Sequence, residues 1–263
     1  MRLTLRSLLC LLGAGVLPLY IAVAQAQEPE LSPAARICLE RADAMHSSGD
    51  YGGTVAACSE AIAEGSSNQD LQAELLVLRG VALRELRAFD AALADFNAAL
   101  RLRPDATQIA NMRAWTFRAM GDYASAEAAY SEILMSDDLK DRVPEDRALW
   151  QAFLSRCVVR LDLGNFSAAA GDCEAALQGA RNGDSLYFAA RTYTELGRCA
   201  EAVSLLEEAL RLADPWARIY EELGYAYGCL GRKPEALSIL DRGLARFPGD
   251  PDLLAMRHRV EQP

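Results

Sequence analysis

The sequence predicts an all-α fold, an α-solenoid of stacked helix–turn–helix units closed by a C-terminal capping helix. Three observations predict it. One phrase recurs at a spacing close to 34 residues, as Leu86-Arg-Ala-Phe-Asp-Ala-Ala92, Met120-Gly-Asp-Tyr-Ala-Ser-Ala126, Leu163-Gly-Asn-Phe-Ser-Ala-Ala169, Leu196-Gly-Arg-Cys-Ala-Glu-Ala202 and Leu230-Gly-Arg-Lys-Pro-Glu-Ala236. A period of that length marks supersecondary units that stack, none of which buries its apolar face alone. Within a unit, apolar residues recur at helical spacing, as in Leu76, Leu83, Leu86, Leu93, Phe96 and Leu100. No segment sustains the period-two alternation of a strand.

The first stretch reads as a targeting segment. Arg2 and Arg6 precede an apolar run, Leu8 to Val23, and Ala22-Val-Ala24 and Ala24-Gln-Ala26 both offer small-x-small cleavage sites. A secretory signal peptide over 1–26 is the expectation, with the periplasm as destination; an uncleaved anchor is the alternative. Residues 27–34 form a loose lead. Repeats then cover about 35–68, 73–106, 107–140, 150–182, 183–216 and 217–250, with an insertion at Asp141–Leu149. Pro104, Pro215 and Pro248 fall near repeat ends, where proline stops a helix. Residues 251–260 supply the cap.

Charge excludes one class of partner. The chain carries 27 basic and 37 acidic residues, net −10, and losing Arg2 and Arg6 with the signal makes it −12. Nucleic acid needs a basic surface, so it is not an expected partner. Composition is apolar enough to fold, at 51% hydrophobic.

The repeats resemble the tetratricopeptide repeat. Tyr220, Leu223-Gly224, Tyr227, Ala236, Leu240 and Pro248 carry the pattern in the sixth copy, and Leu76, Gly80, Leu83, Ala92, Phe96, Ala99 and Pro104 in the second. Ala114, Phe117, Ala126 and Tyr130 carry it in the third, and Leu186, Ala190, Tyr193, Ala202, Leu206 and Ala209 in the fifth. The resemblance implies a right-handed superhelix with a concave face that binds a protein or an extended peptide. Departures are Arg41-Ala42 in the first copy, Gly243 for the late alanine in the sixth, and arginine at a leucine site in three copies, as Arg79, Arg113 and Arg156. These three are expected to lie along their helices with the head in solvent.

Seven cysteines occur, one of them, Cys10, inside the targeting run. In an antiparallel helix pair, facing positions share a constant sum. Ala42 and Thr54 set it at 96 in the first repeat, and Cys38 and Cys58 match it. Cys157 and Cys173 miss the sum of their repeat by four positions, about 6 Å along the axis. Cys199 opens one helix and Cys229 closes the antiparallel neighbour. Disulfides Cys38–Cys58, Cys157–Cys173 and Cys199–Cys229 are therefore expected, with six free thiols as the alternative. A metal site fits poorly, since no Cys-x-x-Cys occurs and His46 and His258 lie at opposite ends. No cofactor is expected.

No catalytic motif appears. There is no Gly-rich phosphate loop and no Gly-x-Ser-x-Gly, and the pairs Glu207-Glu208 and Glu221-Glu222 point in different directions on a helix. The chain is not expected to be an enzyme. Carried onto this chain, the concave face of the family implies a lining of Val77, Val81, Arg84, Asn111, Trp115 and Arg118, then Leu154, Val158, Tyr187, Arg191, Glu221 and Tyr225. Aromatics beside arginines suit peptide capture; ordinary surface roles for Arg84 and Arg118, and packing for Trp115, are the alternatives. The expected function is a non-catalytic protein-interaction scaffold of the bacterial envelope, without membrane insertion after signal cleavage. The alternative is an accessory subunit of a secretion, cell-wall or outer-membrane machine whose catalysis lies elsewhere.

Overall fold

A computed structural model describes residues 31–135, 147–212 and 215–262. The signal segment and most of the 141–149 insertion lie outside the described residues. Thirteen helices and no strands are found among those described. They run α1 (Pro33–Ser48), α2 (Tyr51–Glu64), α3 (Gln69–Glu85), α4 (Phe89–Leu102), α5 (Thr107–Met120), α6 (Tyr123–Leu134), α7 (Arg147–Asp162), α8 (Phe166–Gly179), α9 (Gly183–Glu195), α10 (Cys199–Ala209), α11 (Ala217–Cys229), α12 (Lys233–Arg246) and α13 (Pro251–Glu261). Each odd-numbered helix packs on the next even-numbered one, and each pair packs on its neighbour, giving an α-solenoid. Helix α7 begins at Arg147, inside the stretch read as an insertion.

Local sequence sets the helix ends. Asp50 and Asp122 cap their helices by accepting from the backbone N–H of Gly53 (2.8 Å) and Ser125 (3.1 Å). Asn182 and Ser185 cap α9 reciprocally. Within-repeat turns carry glycine in the left-handed region, Gly49, Gly121, Gly164, Gly197 and Gly231. The second repeat puts Arg87 there instead, at φ 62°.

Small residues let the paired helices touch. Ala92, Ala114, Ala126, Cys157, Ala169, Ala190, Ala202 and Ala236 are all fully buried at the crossings. A Cβ on Gly80 would stand 3.0 Å from the Phe96 ring, and one on Gly224 2.7 Å from Leu240 Cγ. Gly243, irregular in sequence, has the same cause: a Cβ there would lie 2.8 Å from Tyr220 Cβ and 3.1 Å from Leu253 of the cap. Leu206, Leu223, Leu240 and Leu253 form a continuous fully buried row through the last repeats into α13.

The three arginines at leucine sites depart from expectation. Arg79 does not reach for solvent; its Nε and Nη2 donate to both Asp95 oxygens at 2.8 and 2.7 Å, and Nη1 donates to Ser59 Oγ of the preceding repeat at 3.1 Å. Arg156 repeats this with Asp172 (2.9 and 2.7 Å) and Ser131 (3.1 Å). Arg113 pairs with Glu132 at 2.8 Å. Asp95 and Asp172 are buried, so each carboxylate sits where an ion pair is little screened. The equivalent tie further along is a tyrosine hydroxyl, Tyr193 to Glu174 (2.9 Å) and Tyr227 to Glu207 (2.6 Å). The contacts to Ser59, Ser131, Glu174 and Glu207 join neighbouring repeats, whereas those to Asp95, Glu132 and Asp172 join the two helices of one repeat.

The six cysteines of the repeats meet in three pairs at bonding distance. Cα–Cα separations are 4.7 Å for Cys38 and Cys58, 5.5 Å for Cys157 and Cys173, and 6.3 Å for Cys199 and Cys229. All three fall in the range a disulfide spans.

Candidate functional site

First helices of successive repeats touch one another, α1 with α3, α3 with α5, α5 with α7, α7 with α9, α9 with α11, and α11 with α13. Second helices stand farther apart. The first helices therefore form the inner wall, and the candidate site is built on them.

Trp115 of α5 is the centre of its N-terminal half, 48% exposed despite its size. The Arg84 guanidinium carbon lies 3.8 Å from the Trp115 ring centroid, a stacked cation on an aromatic face. Arg84 itself is buried, with only 6% of its side chain exposed. Its Nε and Nη2 donate to Glu85 Oε1 at 3.2 and 2.9 Å, while Nη1 has no hydrogen-bond partner. Asn111, one turn before Trp115, donates from Nδ2 to the Ala148 carbonyl at 2.8 Å and ties α5 to α7. Its buried Oδ1 has no partner. Arg118 donates from Nε to Asp162 Oδ2 at 3.3 Å.

Tyr130 of α6 lies behind these groups. Its phenol hydrogen-bonds with Ser155, and the charges of Arg118 and then Arg84 act to lower it. Burial raises the Tyr130 phenol above its ordinary value against those charges.

The C-terminal half differs. Tyr225 is 43% exposed. Tyr187, Val81 and Val158 are buried, as Arg84 is. The Tyr187 ring packs edge-on against Phe188 and Trp216, with centroids 5.1 and 6.0 Å away. Only its hydroxyl end senses the wall charges; burial first, then Glu222, raises its phenol, and Arg191 opposes. Burial likewise pushes the Glu222 carboxyl up, with Thr194 and Arg191 pulling it back. Glu221 is raised by burial and then by Asp252 of the cap. Arg191 thus balances acidic neighbours.

Of the residues expected to line the wall, Trp115 and Tyr225 are exposed and Arg84 is buried against the Trp115 ring, while Asp162, Ser155 and the role of Tyr130 were not expected. A tyrosine on a second helix, facing the gap between two first helices, gives no groove signal in its own stripe.

The tetratricopeptide repeat family profile matches residues 47–107, 77–146, 154–214 and 187–251. The chain belongs to the tetratricopeptide repeat family. Solved structures agree on the fold. PilW, a widely conserved type IV pilus biogenesis factor, is 19% identical, with a TM-score of 0.69 over 85% of this chain and 98% of that one. PilF of Pseudomonas aeruginosa is 14% identical, with a TM-score of 0.67 over 86% and 97%. YrrB, a TPR protein with an unusual peptide-binding site, is 16% identical, with a TM-score of 0.59 over 76% and 97%. No curated protein matches. Among the described residues of this tetratricopeptide repeat chain, no helix is long and apolar enough to cross a membrane, and no cluster of metal-ligating side chains occurs.

Proposed function

We propose that this chain is an exported, non-catalytic interaction scaffold that captures an extended peptide or a segment of another envelope protein on its inner wall. The observation that carries it is Trp115, a large apolar ring left half exposed on a concave surface and held rigid by Arg84. Rigid aromatics beside arginine are where binding energy concentrates. The wall is preformed, so little ordering entropy is lost on binding. A charged start followed by an apolar run, and cysteines paired at bonding distance, support export to an oxidising compartment such as the periplasm.

Replacing Trp115 and Arg118 together by alanine tests the site. Partner capture should weaken by at least about tenfold, with helicity by circular dichroism unchanged. Full binding by the double variant contradicts the assignment.

A second reading, an assembly subunit of an envelope machine, is favoured by likeness to PilW and PilF over nearly their whole lengths. A stoichiometric complex that survives purification from envelope extract supports the subunit, and weak exchangeable peptide binding supports the receptor.

A further inference from the structure

One cysteine pair stands apart from the other two. Cys38–Cys58 and Cys157–Cys173 each join the two helices of one repeat, and all four residues are wholly buried. Cys199 and Cys229, with Cα atoms 6.3 Å apart, join α10 of the fifth repeat to α11 of the sixth. Cys199 is 1% exposed, whereas Cys229 is exposed. Cys229 also lines an open cleft of about 640 Å³ between the end of α11 and the cap α13, together with Tyr225, Lys233, Met256, Arg259 and Val260.

The two sulfurs are unequal electrically as well. Cys199 is the first residue of α10, where the unpaired N–H groups of a helix start stabilise a thiolate. Cys229 is the last residue of α11, where the terminal carbonyls oppose one. Arg198 and Glu201 flank Cys199 in sequence and offset one another as an ion pair at 2.6 Å.

We infer that Cys229 is a thiolation site for a small acidic thiol. In the oxidised chain, the incoming thiolate attacks Cys229 Sγ from the cleft. A bond forms between its sulfur and Cys229, the bond between the two protein sulfurs breaks, and the electron pair leaves on Cys199 Sγ as a thiolate at the start of α10. Access and leaving-group stability select the same sulfur for attack. The cleft has room for a molecule of tripeptide size. Its lining sets the class. Met256 and Val260 offer apolar contact, and Lys233 and Arg259 offer two cations to carboxylates. Lys233 is anchored there, its Nζ donating to the main-chain carbonyls of Glu261 and Gln262 at 2.8 and 3.2 Å, neutral groups that leave its charge in place. The whole chain is net −10 and repels anions, so a preference for an acidic thiol belongs to this cleft. The site is separate from Trp115 and does not depend on the peptide-binding reading.

The test uses the full folded, oxidised chain and glutathione, a tripeptide thiol with two carboxylates. Samples quenched in acid at intervals and mapped by peptide mass should carry the adduct on Cys229, with Cys199 as a thiol. That thiolate can return and expel the adduct, so Cys199→Ser treated with oxidised glutathione supplies a second reading, in which Cys229 should take up the adduct and keep it. Two small thiols of opposite charge, 2-mercaptoethanesulfonate and cysteamine, test the cleft. With each rate taken relative to the same thiol's rate on a small neutral disulfide, which removes intrinsic nucleophilicity, the anionic thiol should open the pair faster by about threefold or more, and the gap should close at high salt. An adduct on Cys199, or first on any of the four buried cysteines, overturns the inference. So does opening by cysteamine at an equal or higher relative rate, and so does the absence of an adduct by both routes. Where Cys199→Ser fails to fold, the quench and the rate comparison decide, because both use the unaltered chain.

Discussion

The Arg79 guanidinium is held fork to fork by the Asp95 carboxylate, and sixteen residues also separate Arg156 from Asp172, which form the same pair. Removing one partner strands the other charge at low exposure. Breaking a fully buried pair costs roughly 3–5 kcal/mol; Arg79 keeps 23% of its side chain in solvent, so Asp95→Ala should cost about 2–3 kcal/mol. Asp172 also accepts from Arg160 Nη1 at 2.8 Å, so Asp172→Ala should cost more. Urea unfolding of both variants checks the order. Equal or negligible losses would contradict it.

Arg87 occupies a left-handed position that glycine fills in the turns of the other repeats. A Cβ there costs about 1–2 kcal/mol, partly offset by the extra chain entropy glycine loses on folding. Arg87→Gly should therefore stabilise by about 0.5–1 kcal/mol, read as a rise in the thermal midpoint. A fall in that midpoint would mean that the Arg87 side chain contributes a contact stronger than the strain.

The cysteine bridges should be reduced in a set order. Cys38, Cys58, Cys157 and Cys173 are wholly buried, whereas Cys229 is exposed beside buried Cys199. Access controls attack by an external thiol. Mild reductant on the folded protein should open Cys199–Cys229 first, seen by alkylation and peptide mass mapping. Full reduction should then cost roughly 3 kcal/mol for each bridge lost. Six free thiols in protein purified from an oxidising compartment would refute the pairing.

Glu222 should make stability fall with rising pH. Burial pushes its folded value above the ordinary carboxylate value, so between the two the native state holds the proton more tightly than the unfolded state. Its contribution is complete below the ordinary value and is lost as pH rises through the raised one. Thr194 Oγ1 has one hydrogen for two acceptors, the Arg191 carbonyl at 2.8 Å and Glu222 Oε1 at 2.6 Å. A protonated Glu222 that donates to the hydroxyl satisfies all three. Glu222→Gln should flatten that part of the profile and raise stability at neutral pH. An unchanged profile would place the proton elsewhere; Glu221, raised in the same direction, keeps a slope of its own.

Helix pairing was legible because small residues recur at fixed offsets, and a crossing pair such as Gly80 and Ala92 fixes which positions face each other. The same rule gave Cys38–Cys58 directly and Cys157–Cys173 to within four positions, while Cys199–Cys229 followed from helix ends that meet between repeats; the rule could have carried the ion pairs too. Arg79 and Asp95 miss the crossing sum of their repeat by two positions, as do Arg156 and Asp172. Each arginine was weighed on its own helix, where it looks like a misplaced charge, and its partner lies on the next. The inner wall was legible only by residue class. Trp115 and Tyr225 are exposed, whereas the Tyr187 ring packs against Trp216, at the end of its own repeat just before α11, a contact that no stripe on α9 reveals. The unsatisfied atoms of Arg84 and Asn111 follow from three-dimensional packing between repeats and leave no mark in spacing.

A photocrosslinking residue placed at Trp115, compared with one at Ser204 on the exposed side of second helix α10, tests the scaffold claim most directly in the native compartment. The account predicts that position 115 yields a discrete crosslinked partner, displaced by competing peptide, and that position 204 does not. Crosslinking from 204 with none from 115 would contradict it.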